Sequence, residues 1–306
     1  MQPLRGILFK VISVAMFMVM ASLIKAASAE VPPGQAVFFR SFFALPIILG
    51  WLAIRGELAY GWKTSNPMGH FWRGLVGTTA MGLGFTGLGL LPLPEVTAIG
   101  YAAPLLVVVF AAMFLNEEVR AFRLSAVALG MIGVLIVLSP RLSVDASLNV
   151  NETLGAVVVF MGAVMAALAQ VFVRKLVATE GTAAIVFWFS VTSAVLSLLT
   201  LPWGWVSPSW QMVALLIVAG LLGGMGQIFL TSSYRYADAS LVAPFDYTSM
   251  IMALGIGYFI FDEVPTGTML FGAGIVISAG VLIIWRERKL GLQRAQQRKA
   301  TGNVGG

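Results

Sequence analysis

Residues 260–266 read Ile260-Phe261-Asp262-Glu263-Val264-Pro265-Thr266, and residues 267–285 continue as GTMLFGAGIVISAGVLIIW. No charged side chain occurs between Gly267 and Trp285. At about 1.5 Å per residue, a helix of that length matches the hydrocarbon thickness of a bilayer. A helix also satisfies its own backbone hydrogen bonds, which hydrocarbon requires. The acidic corner ahead of the run has a twin, since Phe114-Leu115-Asn116-Glu117 resembles Ile260-Phe261-Asp262-Glu263. Each corner leads into a glycine-dotted apolar stretch, one ending Gly133-Val134-Leu135-Ile136 and the other Gly280-Val281-Leu282-Ile283. A span and a duplication are therefore legible in one short segment.

Working outward, the whole chain has the same character. Of its 306 residues, 59% are hydrophobic and 10% are charged, with a mean hydropathy of +0.92. A soluble domain carries about 25% charged residues, so this chain cannot cover a water-facing surface. Apolar runs between charged or Pro/Gly-rich breaks predict ten helices, near 4–26, 34–54, 71–91, 95–115 and 122–139, then 154–176, 182–202, 210–234, 239–261 and 267–285. The expected fold is an all-α membrane protein with ten transmembrane helices as two inverted five-helix repeats, 4–140 and 153–286, followed by a basic and disordered cytoplasmic tail at 287–306. Val37-Phe38-Phe39-Arg40-Ser41 on helix 2 resembles Val186-Phe187-Trp188-Phe189-Ser190 on helix 7. Because five is odd, the second half must lie upside down relative to the first, as in carriers that rock one bundle against another.

The net charge of +6 does not point to nucleic acid, because the bases lie at helix ends and in the tail rather than on one soluble face. With the amino terminus cytoplasmic, sixteen of the nineteen bases are inside, among them Lys10, Arg73, Arg174 and Lys175, while Lys25, Arg40 and Arg141 are outside. Both termini are therefore expected in the cytoplasm. Ala27-Ser28-Ala29 has the form of a signal cleavage site, but the repeat needs helix 1, so an uncleaved first span is expected. There is no cysteine, which removes disulfides and thiolate metal sites; no metal or cofactor is expected.

Ionisable and amide groups inside spans are costly and so become candidate site residues. Asp246 on helix 9 lies about 11 Å inside its span, able to exchange a proton or hold a cationic or amide-bearing solute. Arg40 on helix 2 keeps its charge in any surroundings and reads as a solute anchor, a partner of Asp246 in one state, or a structural cap. Gln170 on helix 6, Gln227 on helix 8, Tyr101 on helix 4 and Tyr247 beside Asp246 are suited to orienting a flat, hydrogen-bonding solute or to bonding between helices. Glu95 and Asp238 open helices 4 and 9, where acids are stabilised by the exposed N–H groups. Glu117, Glu118 and Glu263 read as corner formers. Gly82-x-Gly84-x-x-Gly87 lacks the preceding strand of a dinucleotide site; with Gly220, Gly223, Gly224 and Gly226 it reads as a close-packing surface.

Three features as they stand here resemble the drug/metabolite transporter superfamily and its carriers with paired EamA domains: Arg40-Ser41-Phe42-Phe43-Ala44, like that family's Arg-x-x-x-Ala; Glu117 with Gly130 and Gly133; and Glu263-Val264-Pro265-Thr266 with Gly272 and Gly280. The second half departs from the first by having Phe189 where Arg40 would fall. The resemblance implies a bacterial inner-membrane carrier of amino acids, nucleotides, vitamins or drugs, working by alternating access around a cavity between helices 1, 3, 4 and 6, 8, 9. Residues 36–43 look most like members assigned to riboflavin or S-adenosylmethionine uptake, and riboflavin uptake is the expected activity. The implied partners are a small-molecule substrate and the lipid bilayer, with a homodimer compatible. An enzyme is not expected, since there is one histidine and neither His-Glu-x-x-His nor Gly-x-Ser-x-Gly. A channel would need a filter or pore ring that the sequence does not display.

Overall fold

A computed structural model describes residues 3–115, 121–142, 150–177, 179–236 and 243–302. Among the described residues there are only helices, turns and loops, and ten helical rods follow one another: α1 (Pro3–Ala27), α2 (Pro33–Ile54), α3 (Pro67–Leu90), α4 (Leu93–Leu115), α5 (Ala121–Leu142), α6 (Val150–Val177), α7 (Thr182–Leu198), α8 (Trp210–Tyr236), α9 (Ala243–Phe261) and α10 (Gly267–Gly302). Seven are long and apolar enough to cross a membrane, and α7 and the Phe245–Phe261 part of α9 are shorter apolar helices. α3 has the length, at 24 residues, but its glycines, threonines, His70 and Arg73 dilute its hydropathy. One face of it packs on α6 and α7, while Met68, Phe71 and Trp72 stay exposed. Three acidic positions of the sequence reading, Glu117, Glu118 and Asp238, lie outside the described residues.

Three rods are broken, two of them where proline explains it. Proline has no N–H to donate and its ring crowds the carbonyl four residues earlier. α2 is interrupted at Phe43, three residues before Pro46. α4 is interrupted at Tyr101, three residues before Pro104. α9 begins as a 3-10 turn, Ala243–Tyr247, which contains Pro244, before becoming α-helical at Thr248. α10 continues past Trp285 to Gly302, because Arg, Lys, Gln, Leu and Ala are good helix formers once the chain has left the apolar run.

The rods pack in a regular scheme. α1 lies along α8 and α3 along α6; α5 lies along α10, α2 along α7, and α4 along α9. Exchanging helix n for helix n+5 turns this set of neighbours into itself, which is consistent with two similar halves. Small residues make the closest seams. At the crossing of α5 and α10, a Cβ on Gly133 would stand 2.8 Å from the Gly272 carbonyl oxygen, and one on Gly272 would stand 2.7 Å from that of Gly133. Gly220 and Gly224 of α8 press on Phe43 and Ala44 at the break in α2. A side chain on Gly82 would meet open space, whereas Gly87 of that string meets Val159 and the Gly84 backbone nitrogen would lie 3.4 Å from a Cβ on Gly162 of α6, so the close-packing reading fits the last two members and not the first. Ile132, Ile251, Phe259 and Phe271 are exposed, an arrangement stable only against lipid.

Polar clamps close the two ends of the bundle. At one end Asp262 adopts a left-handed conformation (φ 54°) that stops α9 and aims Glu263 back at the bundle. There Glu263 accepts from the Leu93 N–H at 2.8 Å and pairs with Lys25 at 2.8 Å, while Lys25 also donates to the carbonyls of Leu88 and Leu91. One carboxylate thus ties together α1, α3, α4 and the end of α9. Beside it, Arg141 of α5 grips Glu95 of α4 with two hydrogen bonds of 2.9 and 3.0 Å and also meets Glu152 of α6. At the opposite end Glu180, in the α6–α7 loop, accepts from Ser65 N–H, Ser65 Oγ and Asn66 N–H of the α2–α3 loop, and His70 Nε2 lies 3.5 Å away. Desolvation pushes the Glu180 carboxyl up, but the hydrogen bonds from Ser65, with Thr64 and His70 close by, outweigh it and hold it down to about 2.

Two outcomes follow. Replacing Gly133 or Gly272 by leucine should destabilise the protein by about 1–3 kcal/mol through overpacking, read as a lower melting temperature in detergent, whereas Gly82→Ala should leave it unchanged or slightly raised. The Glu180 clamp has a folded pKa below its unfolded value, so its contribution is complete above about pH 4.5 and drains away as pH falls towards 2. Melting temperatures of wild type and Glu180→Gln should differ at pH 6 and converge over that acid window.

Candidate solute site

The two helix breaks in α4 and α9 meet each other. Tyr101, at the break in α4, and Tyr247, at the end of the 3-10 turn of α9, bring their rings to 5.1 Å in an edge-to-face arrangement. The Ser249 hydroxyl donates to the Asp246 carbonyl at 2.6 Å, so its oxygen is left to accept from the Tyr101 hydroxyl, also at 2.6 Å. This bond joins α4 to the first α-helical turn of α9, next to Asp246. The space for Tyr247 is provided by α10: its hydroxyl lies where a Cβ on Gly280 would be. A glycine of the repeated corner-and-helix pattern is thus explained as the seat of a tyrosine.

Asp246 Oδ1 is 2.8 Å from Lys10 Nζ of α1. Lys10 is 2% exposed, whereas the Asp246 side chain is 49% exposed. The ammonium is therefore walled in and the carboxylate is half exposed beside it. Lysine is almost never fully buried unless paired, and neutralising one partner of a buried pair strands the other charge. The pair is consequently a natural place for a competing charge to act, because a group that displaces Lys10 from Asp246 must replace its charge.

Lys10 is the member that sequence reading missed, having been counted among the cytoplasmic helix-end bases. It belongs instead to the helix interior, and the signal was there: it lies within the apolar run Leu4–Ala27, at the depth that marks an intramembrane charge. Arg73 needs the same correction. It is 9% exposed, because α3 starts at Pro67 rather than at residue 71. Of the six expected site residues, the structure brings together Asp246, Tyr101 and Tyr247. Gln170 is exposed and Gln227 half-buried, and neither makes a side-chain hydrogen bond with any described residue. Arg40 is 5% exposed and lies apart from this cluster, against Phe189 of α7 and the backbone of Gly223 in α8. Asp246 has Lys10 as its partner, not Arg40.

A profile of the EamA-like transporter family matches residues 4–139 and 153–285. The chain is 30% identical over 257 residues to an S-adenosylmethionine uptake transporter of Rickettsia felis, covering 83% of this chain and 84% of the relative. It is also 30% identical over 288 residues to a pseudopaline exporter of Pseudomonas aeruginosa, covering 93% and 97%. A riboflavin transporter of Rhizobium johnstonii is 27% identical over 261 residues, covering 84% and 83%. A solved crystal structure superposes with a TM-score of 0.65 over 93% of this chain and 98% of that one; at 18% identity the likeness is one of fold.

The Lys10–Asp246 contact makes the effects of substituting its two members non-additive. Lys10→Met or Asp246→Leu alone should lower stability by roughly 1–3 kcal/mol, whereas the two together should cost less than the sum. The exchanged pair Lys10→Asp/Asp246→Lys should recover part of the loss. Melting of the four purified proteins checks this, and strictly additive losses would refute the coupling.

Proposed function

The chain belongs to the EamA-like transporter family of the drug/metabolite transporter superfamily, and from that premise we propose that it is a secondary transporter carrying a zwitterionic, amino-acid-bearing metabolite across the bacterial inner membrane by alternating access. The carrying observation is the Lys10–Asp246 pair beside the two stacked tyrosines. A solute with an ammonium and a carboxylate can exchange with this pair without leaving a buried charge uncompensated, its ammonium going to Asp246 and its carboxylate to Lys10. The tyrosine rings offer an adjoining wall for a flat ring. S-adenosylmethionine combines an amino-acid end with a purine, and it is the compound for which the Rickettsia felis relative is named.

Riboflavin uptake is the second reading. It is favoured by the tyrosine wall and by the name of the Rhizobium johnstonii relative. It uses the ion pair less well, because a neutral flavin supplies no charge to replace either partner.

In the mechanism we infer, the repeats 4–140 and 153–286 are inverted, both termini are cytoplasmic, and Asp246 also takes up any coupled proton. Lys25–Glu263 and Arg141–Glu95 then form a latch on the outer side. Outward opening separates α9 from α1 and α5 from α4, and both pairs must break for it. The helix breaks in α4 and α9 supply the deformable backbone at the solute, as in other carriers with discontinuous helices.

The test is uptake of radiolabelled S-adenosylmethionine into proteoliposomes, with riboflavin as competitor. Asp246→Asn should lower uptake at least about tenfold or abolish its pH dependence, with membrane insertion retained. Uptake and pH response both unchanged in Asp246→Asn would sink the assignment. Strong inhibition by riboflavin, with no S-adenosylmethionine uptake, would favour the second reading.

A further inference from the structure

A second charged place in the bundle is built differently. Arg40 of α2 and Arg73 of α3 are 5% and 9% exposed, and both guanidinium groups lie over the ring of Phe189 in α7, with Cζ 5.6 and 3.5 Å from the ring centre. Neither meets a carboxylate among the described residues. Arg40 Nε and Arg73 Nε and Nη1 are buried with no hydrogen-bond partner. Two like charges thus share one buried position, and these three N–H-bearing nitrogens have no acceptor.

Stacking on Phe189 does not account for this. A cation–π contact is weak beside the cost of burying an ion, even after relaxation, and the two cations also repel. The surroundings nevertheless make room for both. A Cβ on Gly223 would come within 3.1 Å of Arg40 Nε, and one on Gly77 within 3.0 Å of Arg73 Nη1 and 2.9 Å of Phe189. Backbone rather than side chain therefore edges both guanidinium groups. What is lacking is the counter-charge, and the partner that two guanidinium forks fit is an oxyanion with two or more oxygens.

We propose that Arg40 and Arg73 together bind such an oxyanion, a carboxylate or phosphate carried by a solute. The inner rather than the lipid side is its source. On the outward face of the same helices, Phe38, Phe42, Leu45, Val191, Ala194, Val195 and Leu198 line an apolar groove of about 330 Å³ with no polar surface. The position is also linked to the ion pair along one face of α1. Lys10 pairs with Asp246, Ser13 donates to the Gly226 carbonyl, Phe17 packs on Gly226, and Met20 packs on Gly223 beside Arg40. Lys10 and Met20 are about 15 Å apart along that helix. The proposal deepens the transporter reading, from which it takes only that the anion belongs to a solute.

The experiment is thermal melting of the detergent-purified full chain at constant ionic strength with chloride as the reference anion, titrated separately with succinate, inorganic phosphate and phosphatidylglycerol. Wild type should gain about 4 °C with succinate or phosphate and saturate. Arg40→Gln/Arg73→Gln should not respond, and Arg55→Gln, at an exposed arginine paired with Glu57, should respond as wild type does. If the glutamine pair does not fold, Arg40→Lys/Arg73→Lys retains charge without the forks and should respond less than half as strongly. Equal responses in wild type and the arginine variants, or none in wild type, overturn the site. A response to phosphatidylglycerol alone overturns the solute source and assigns the position to a lipid head group. A protein that binds succinate through Arg40 and Arg73 but moves no solute in proteoliposomes leaves this site standing and removes the transporter reading instead.

Discussion

Hydrocarbon offers no partner to a polar group, and the organisation of this bundle depends on that. Backbone N–H and C=O groups must be satisfied within each rod, which limits the chain to helices. A charged side chain in the interior must find its opposite on another helix. Lys10 finds Asp246, Lys25 finds Glu263, and Arg141 finds Glu95. Each pair ties together helices far apart in sequence, so charges that would be liabilities singly become cross-links that select one arrangement of apolar rods. Dispersion and glycine seams bring helices close, but apolar surfaces alone discriminate poorly among partners in lipid.

The same constraint separates stabilising groups from working ones. Lys25 and Arg141 lie at a helix end, engaged on several sides, as do Glu263 and Glu95. The Lys10–Asp246 pair is lopsided, with the cation enclosed and the anion half open. The exposed side of the Asp246 carboxylate is where an incoming charge can compete for this pair. The breaks in α4 and α9 place two tyrosines and a serine beside it, so that this half-open ion pair lies next to two interruptions of helical backbone. Arg40 and Arg73 are the exception to the pairing rule within the described residues, and an exception of that energetic size calls for a ligand.

The relatives show how far fold and function can be carried between them. Uptake of S-adenosylmethionine, uptake of riboflavin and export of pseudopaline are names borne by proteins 27–30% identical to this chain. A shared bundle accommodates different cargo and opposite directions, because direction depends on gradients and cargo on a handful of side chains in the cavity.

The sequence by itself determined the helical class, the number and approximate limits of the rods, and the recurrence of the corner-and-helix pattern, because hydropathy and spacing are local properties. It also singled out Asp246, Tyr101 and Tyr247, since a polar group in an apolar run stands out without knowledge of its neighbours. Only the tertiary structure decided who pairs with whom. Lys10 reads as a membrane-surface base until α9 is laid beside α1, and Arg73 does so until α3 is extended back to Pro67. Glu263 reads as a corner residue until the left-handed Asp262 turns it towards Leu93 and Lys25. Gly280 is one glycine among many until Tyr247 occupies the place of its missing side chain. Pairing depends on distances across the bundle, and those distances follow from how all ten rods pack at once.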